Sequence, residues 1–468
     1  MSDYRQFLDS KHIRATRSGF DINEDQLPDK LFDWQKLIVK WSLSSGRCAL
    51  FEECGLGKTF QQLAWADAVV RRENKPVLLL CPIAVGRQTL KEAEKFGIVS
   101  DVKIVKDQSE VVTGINITNY ERLHLFDASK FVGVVLDESS ILKSFTGKIK
   151  QQLCESFANT RYKLACTATP SPNDRMEIGN HSEFLGVMPS NEMLSRWFIN
   201  SGDKVGVYRL RQHGAKDFWR WVASWAVCID KPSIIGFSDE GYELPPLQMI
   251  NHIISDQDDA PKNGRLFDPG EAISATTVHV EKRKTLDARA DKVGEIVNGN
   301  NHTWAIWCDT DYEADALKAR VPTAIEVRGS HKPEVKEYRL EAFTEGRERV
   351  IITKAELAGF GLNWQHCHHT TWFAGYSYEK FYQAIRRLWR FGQVNAVECH
   401  NVMSEGEQSI ANVLGQKSIM HEEMKCEMAD AMREGSLEEI KAIRSLRVNT
   451  TSGVHAVVPG WLKSKQGA

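Results

Sequence analysis

Short apolar runs recur through this chain, each followed by a stretch of helical periodicity, and that alternation limits the fold more than any other feature. In the first half "RCALFEE", "PVLLLCP", "GINITNY", "FVGVVLDE" and "RYKLACTAT" read as buried strands. The segments between them, such as "TFQQLAWADAVVRRE" and "VGRQTLKEAEKFG", space their apolar residues as helices do. Strands that alternate with helices pair in parallel, each helix carrying the chain back to the start of the next strand. "GYELPPLQ" interrupts the pattern, since two prolines continue neither a helix nor a central strand. It then resumes in "HTWAIWCDT", "TAIEVRG", "RVIITKAE" and "HHTTWFAG". The expected fold class is therefore α/β, with two tandem parallel-sheet lobes. The expected division is a helical lead-in at 1–30, a first lobe at 31–242 with a Trp-rich helical region at about 176–240, a second lobe at 243–404, and charged helices with a loosely ordered tail at 405–468.

Composition removes several classes of function. The formal net charge of −2 gives no global basic field, although a basic cleft can sit on a neutral protein. The ten cysteines are scattered without a C-x-x-C pair, which speaks for reduced thiols and against a disulfide framework or zinc knuckle. The first twenty residues are charged throughout and lack the apolar core of a signal peptide, and no apolar run is long enough to span a bilayer. A cytoplasmic protein without membrane contact is the expectation.

The chemistry begins at "EECGLGKT", residues 52–59. A strand runs into Gly55, Leu56 and Gly57, and a helix begins at Lys58 and Thr59. Two glycines let the backbone curl so that its N–H groups point inward at a helix N-terminus, an arrangement that binds phosphate. Lys58 would reach the β- and γ-phosphates and Thr59 would ligate Mg²⁺. The generic loop has a glycine where this chain has Glu52. The second half of the site is "FVGVVLDESS", an apolar run that ends in a pair of carboxylates at a strand's carboxyl end, where α/β sheets place ligands. Asp137 is the candidate to hold Mg²⁺ through water, and Glu138 to activate the attacking water. Two solvated acids at a strand end are the bland alternative.

Together these segments resemble superfamily-two helicases and ATPases (DEAD/DEAH-box-like), most closely the Swi/Snf-type branch. "EECGLGKT" is similar to that branch's "D-x-G-L-G-K-T" form, which does without the first glycine. "FDWQKLIVKW" resembles the adenine-reading motif, with Gln35 as reader and Trp34 at the aromatic position. "LDESS" stands at the D-E-x-x box with Ser140 in the last place, and "CTATPSPN" resembles the coupling segment, giving Thr167 and Thr169. In the second lobe "AGFGLNWQ" resembles a segment that carries Gly359, Gly361 and Asn363. "QAIRRLWRFGQ" resembles "QAxGRxHRxGQ", giving Gln383, Arg387, Arg390 and Gln393, with Arg386 in place of a glycine and Trp389 in place of a histidine. The small departures and compact size resemble phage or prophage helicases. The resemblance implies two RecA-like lobes of the P-loop NTPase fold, ATP and Mg²⁺ as cofactors, and hydrolysis coupled to movement on DNA.

Arg387 and Arg390 are spaced i, i+3, so both guanidinium groups could project from one helix face toward developing phosphate charge. Thr118, Asn119 and Thr167, with the amides near Gly359, are candidates for the nucleic-acid backbone, and turn or cap roles stand beside them at even odds. Trp197, Trp219, Trp221 and Trp225 could stack on bases, but the i, i+4 spacing of Trp221 and Trp225 favours core. "HCHH" at 366–369 invites a metal assignment, but alternation along a strand would point neighbouring side chains apart, which argues against one. The acid-rich run 255–260 reads as a solvated loop. The leading expectation is a DNA helicase or duplex translocase, on duplex or single strands with RNA left open. A nucleotide-gated clamp and a protein-remodelling ATPase are the alternatives. The C-terminal helices are a candidate surface for a protein partner.

Overall fold

The structure is a computed structural model, and it describes residues 15–82, 85–144, 147–172, 174–200, 208–254, 282–358, 362–373, 375, 377–405 and 407–433. The first fourteen residues of the lead-in, the acidic run 255–260 and the tail from Thr450 lie outside the described residues. The chain divides into two compact units, 1–240 with 421–468, and 241–420.

Unit 1 is built on a sheet of strands β1 (Arg47–Glu52), β2 (Val77–Cys81), β3 (Val102–Ile104), β4 (Ile115–Asn119), β5 (Gly133–Asp137), β6 (Tyr162–Thr167) and β9 (Ala226–Ile229). Their order across the sheet is β3-β4-β2-β5-β6-β1-β9, and every pairing is parallel. β2, β5 and β6 are buried at every residue, which explains why they read as unbroken apolar runs: a parallel sheet is covered on both faces. Helices Lys58–Glu73 and Gly86–Phe96 are among the crossovers. β5 and β1 flank β6 in the sheet, so the carboxyl ends of β1, β6 and β5 lie side by side and carry Glu52, Thr167 and Asp137 to one edge.

The Trp-rich region differs from the expected helical insertion. It contains helices Ser190–Trp197 and Ala215–Ala223, but also an antiparallel hairpin of β7 (Phe198–Asn200) and β8 (Tyr208–Leu210). It ends in β9, which pairs with β1 from Ala49 to Glu52. β9 is only four residues long and follows directly on helix-forming tryptophans, so its periodicity had no room to register. Trp197, Trp219, Trp221 and Trp225 are all buried. The Trp197 and Trp221 rings stack at 4.8 Å, and Trp221 meets Trp225 edge-on at 5.4 Å. The core reading holds for them, and stacking on bases does not.

Unit 2 has β10 (Leu247–Ile254), β11 (Trp304–Cys308), β12 (Ile325–Val327), β13 (Val350–Lys354), β14 (His369–Phe373) and β15 (Val397–Ser404), all parallel in the order β10-β15-β14-β11-β13-β12. Along β11 the side chains alternate: Trp304, Ile306 and Cys308 enter a core with Val293, Leu317 and Phe373, whereas Ala305 and Trp307 enter another with Phe343, Trp364 and Leu388. Two cores on two faces make this sheet doubly covered like the first, and both expected parallel-sheet lobes are therefore present.

Arg289 stands fully buried in the first of these cores. Its guanidinium lies 3.7 Å from Glu313 and 3.6 Å from Glu407, donates to the Lys282 carbonyl at 2.7 Å, and covers the Phe373 ring. A lone buried arginine would be prohibitively costly; two carboxylates and a carbonyl offset its desolvation. The C-terminal helix Gln408–Ala431 is shared between the units, and from His421 it belongs to unit 1. There Glu427 accepts from the Trp219 indole at 3.0 Å and pairs with Arg175 at 3.0 Å.

Candidate nucleotide site

β1 delivers the chain to the phosphate loop, and helix Lys58–Glu73 leaves from it. Gly57 caps that helix at φ 78°, a left-handed conformation natural to glycine. A β-carbon there would come 2.5 Å from Gln35 Nε2, so that side chain would have to move, and the left-handed backbone favours glycine. Lys58 donates from Nζ to the carbonyls of Glu52 at 2.8 Å and Glu53 at 3.0 Å, which holds its ammonium at the mouth of the loop. Desolvation pulls its pKa down, but Cys54, Glu138, Glu52 and Glu53 together outweigh it, and the net shift is upward. Lys58 therefore stays charged. Thr59, half-buried, follows in the first helical turn.

Glu52, which stands in place of the generic glycine, is the last residue of β1 and fully buried. One carboxylate oxygen accepts from Gln61 Nε2 at 2.8 Å, and the other has no hydrogen-bond partner. Burial raises its pKa to about 7 against the pull of Lys58 and Gln61. Glu53 accepts from the Cys54 amide at 2.6 Å and pairs with Lys425 of the C-terminal helix at 2.7 Å.

Asp137 ends β5 and is oriented by Gln62, whose Nε2 donates to Oδ1 at 2.8 Å. The Tyr120 hydroxyl donates to the Asp137 carbonyl at 2.6 Å. Glu138 follows at φ 55°, ψ 54°, a left-handed conformation that costs a side-chain-bearing residue roughly 1–2 kcal/mol. Such strain concentrates where a side chain must be aimed. Behind it, Ser139 Oγ lies 3.1 Å from His181 Nε2, and burial drives the His181 pKa down to about 4.

Gln35 lies close to the loop. Its Oε1 accepts from the Phe32 amide at 3.0 Å and its Nε2 donates to the Leu56 carbonyl at 2.9 Å, while Trp34 beside it is buried. Thr167 and Thr169 are buried, and the Thr167 hydroxyl accepts from the Thr169 amide at 3.1 Å. Thr118 is buried with its hydroxyl unpartnered, and Asn119 caps a short helix by accepting from the Arg122 amide at 3.1 Å. Gln61, Gln62, Tyr120 and His181 were not singled out from sequence. The two glutamines, one turn into the helix, face an otherwise apolar sheet, and that was the signal available.

In unit 2, helix Tyr378–Leu388 carries Gln383 and Arg387 but ends before Arg390, which follows its C-cap Trp389. The shared helix face expected of the two arginines is therefore not formed. They converge all the same: the guanidinium groups of Arg387 and Arg390 donate to the Leu362 carbonyl at 3.5 and 3.1 Å. Arg386, in place of a glycine, spans the rings of Tyr382 at 5.1 Å and Trp389 at 4.3 Å. The replacements Arg386 and Trp389 thus support each other. Gln393 donates to the carbonyls of Gln365, Cys367 and Leu388, closing the turn. Asn363 is exposed, with Oδ1 3.4 Å from the Gln365 amide, while Gly359 and Gly361 lie outside the described residues.

The histidine run also departs from expectation. β14 begins only at His369, so strand alternation does not govern His368, and one ring nitrogen each from His302, His368 and His369 comes within 4.8 Å of the others. Burial, with His368 and His302 nearby, lowers the His369 pKa to about 4.

Residues 34–220 match the family model of the SNF2-related domain, which takes in the phosphate loop, Asp137, Glu138 and Thr167. The SWI/SNF chromatin-remodeling complex subunit snf22 of Schizosaccharomyces pombe is 24% identical over 235 residues, 42% of this chain and 14% of that protein. The DNA annealing helicase and endonuclease ZRANB3 of Mus musculus is 28% identical over 167 residues, 32% of this chain and 15% of that protein. This chain thus spans a small part of the length of either relative. The solved Sulfolobus solfataricus SWI2/SNF2 ATPase core in complex with dsDNA aligns with 91% of this chain and 99% of its own at 18% identity and a TM-score of 0.41.

Proposed function

We propose that this chain is a Swi/Snf-type ATP-driven motor that tracks duplex DNA. The observation that carries the reading is that Gly55–Thr59 and the Asp137–Glu138 pair follow the carboxyl ends of β1 and β5, the two strands that flank β6, within the segment that matches the SNF2-related domain. The mouse relative, named a DNA annealing helicase, supports DNA as the track. The residues fit Mg²⁺–ATP: the loop holds a charged lysine at its mouth, a glycine that leaves room for backbone approach, and a buried carboxylate oriented by Gln62. Bound Mg²⁺ supplies neutralisation of charge on the β- and γ-phosphate oxygens.

The protein's own part is mostly positioning. Lys58 exchanges the Glu52 and Glu53 carbonyls for phosphate oxygens. The Thr59 hydroxyl and the Asp137 carboxylate would hold the metal, and the Glu138 carboxylate is placed to take the proton of an attacking water. Arg387 and Arg390 exchange the Leu362 carbonyl for the charge developing on the transferred phosphoryl group, and Gln383 lies on the same segment. Trp34 and Gln35 bound the adenine, and Thr118, Asn119, Thr167, Thr169, Gly359 and Asn363 are the proposed strand-contact and coupling residues.

The test is ATP turnover with duplex DNA, single-stranded DNA, RNA and no nucleic acid. Stimulation by duplex is expected, and absence of turnover under all four conditions refutes the reading. Displacement of a third strand from a triplex then distinguishes a motor, which displaces it, from a clamp, which does not.

A further inference from the structure

Five of the fourteen histidines gather in unit 2 on strands β10, β11, β14 and β15 or just before them. His369 opens β14, paired in register with Trp304 at the start of β11 and with Glu398 near the start of β15. His302 stands two residues before β11, and His368 one before β14. Further along, His400 of β15 and His252 of β10 stack at 5.2 Å, with His252 Nε2 2.9 Å from His400 Nδ1. Glu398 sits between the two groups, its carboxylate 3.3 Å from His369 Nδ1 and 3.7 Å from His400 Nε2. Glu398 thus faces the Nδ1 edge of His369 at ion-pair distance without a formed hydrogen bond; a carboxylate that takes the Nδ1 proton would leave Nε2 with its lone pair, the arrangement found behind metal-ligating histidines.

We propose that His302, His368 and His369 bind one zinc ion, with Glu398 orienting His369 and water completing a tetrahedron. Three observations carry this. One nitrogen from each ring already lies within 4.8 Å of the other two. Zn–N bonds of 2.0–2.1 Å place tetrahedral ligands about 3.4 Å apart, so rotation of the exposed His302 ring and the half-buried His368 ring closes the set. His368 Nδ1 and both ring nitrogens of His369 are buried without a hydrogen-bond partner, a cost that a bound cation removes at the nitrogens it takes. The supporting shell is already in place. Arg349 donates to the carbonyls of Val297, Asn300 and His302, Asn300 accepts from the His302 amide at 3.0 Å, and Cys367 Sγ donates to the Thr303 and His369 carbonyls at 3.2 and 3.3 Å. That thiol ties together the two segments that bear the ligands and is not itself a ligand. Imidazole donors suit zinc as they suit copper, iron and nickel, and three imidazoles with a water make the tetrahedral set that zinc adopts. The arginine segment lies close by, since Arg387 and Arg390 donate to the Leu362 carbonyl and Gln393 donates to the Cys367 carbonyl, next to His368, so the ion would brace the start of β14 beside that segment. The proposal rests on the histidine geometry and not on the motor reading.

The test uses untagged full-length protein stripped of metal and titrated with Co²⁺ and with Zn²⁺. One equivalent should bind, and the Co²⁺ form should show the visible bands of a tetrahedral site without thiolate charge transfer. His302→Ala and His368→Ala should each weaken binding at least about 100-fold, Glu398→Gln about 10–100-fold, and His252→Ala should leave it unchanged. His302 is exposed, so its variant should melt like the metal-free wild type, separating ligand loss from misfolding. Absence of stoichiometric binding, thiolate bands in the Co²⁺ spectrum, or binding unaffected by both alanine variants overturns the proposal, whatever the ATPase assay gives.

Discussion

Replacing Glu52 by Gln should stabilise the protein above neutral pH and much less in acid. Glu52 is fully buried, with one carboxylate oxygen unpartnered, and burial raises its pKa from 4.5 to about 7. The folded state thus keeps a proton that the unfolded state releases at lower pH. Between those two values the folded chain binds more protons, so stability falls as pH rises, at about 1.4 kcal/mol per unit, and the full shift corresponds to about 3 kcal/mol. Most of that, about 2–3 kcal/mol, develops between pH 5 and pH 8. Glutamine keeps the acceptor for Gln61 and never ionises. Urea unfolding of wild type and Glu52→Gln at pH 5 and pH 8 isolates the effect, because every other titrating group cancels in the double difference. The variant's advantage should be greater at pH 8 by about 2–3 kcal/mol. An equal difference at both pH values, or one larger in acid, refutes the reasoning, since it would mean that the carboxylate is ionised in the fold at pH 5 and that Lys58 dominates over burial.

Lys58→Ala should abolish nucleic-acid-stimulated ATP turnover while the circular dichroism spectrum and melting profile stay those of wild type; retained turnover would remove this lysine from the phosphate site. Arg387→Ala should lower kcat by about 10³–10⁵ if it acts as an arginine finger, measured under saturating DNA; a smaller loss assigns it to the turn at Leu362. Arg386→Ala should lower stability by about 1–2 kcal/mol through loss of contact with the Tyr382 and Trp389 rings, read as a shift of the urea midpoint. Arg289→Met leaves Glu313 and Glu407 buried without their cation and should cost about 3–5 kcal/mol; an unchanged midpoint would show that those carboxylates are protonated or hydrated.

β1, β2, β5, β6, β11, β13 and β14 were legible because they are buried along nearly their whole length, which requires an unbroken apolar run, whereas the partly exposed β3 and β10, and β15, were not read as strands. The strand-to-helix turn at Gly55–Thr59 and the carboxylate pair of "VVLDESS" at a strand's end were legible because both depend on residue type at a fixed place after such a strand. β9 was not: four residues beside a tryptophan-rich helix carry no resolvable period, and only pairing with β1 makes them a strand. The roles of Gln61 and Gln62 were equally hidden, because a glutamine's partner is set by what the sheet presents to it, here Glu52 and Asp137. Lys425 lies more than 370 residues from Glu53, and local sequence carries no trace of that pairing. "HCHH" misled because alternation was assumed for a residue that precedes its strand, and because the third histidine comes from another segment. The sequence by itself determined the two parallel lobes and the residue types at the phosphate loop, since both follow from local periodicity and backbone geometry. The tertiary structure alone decided the charge state of Glu52, the convergence of Arg387 with Arg390, and the gathering of the histidines, because each depends on burial and on neighbours distant in the chain.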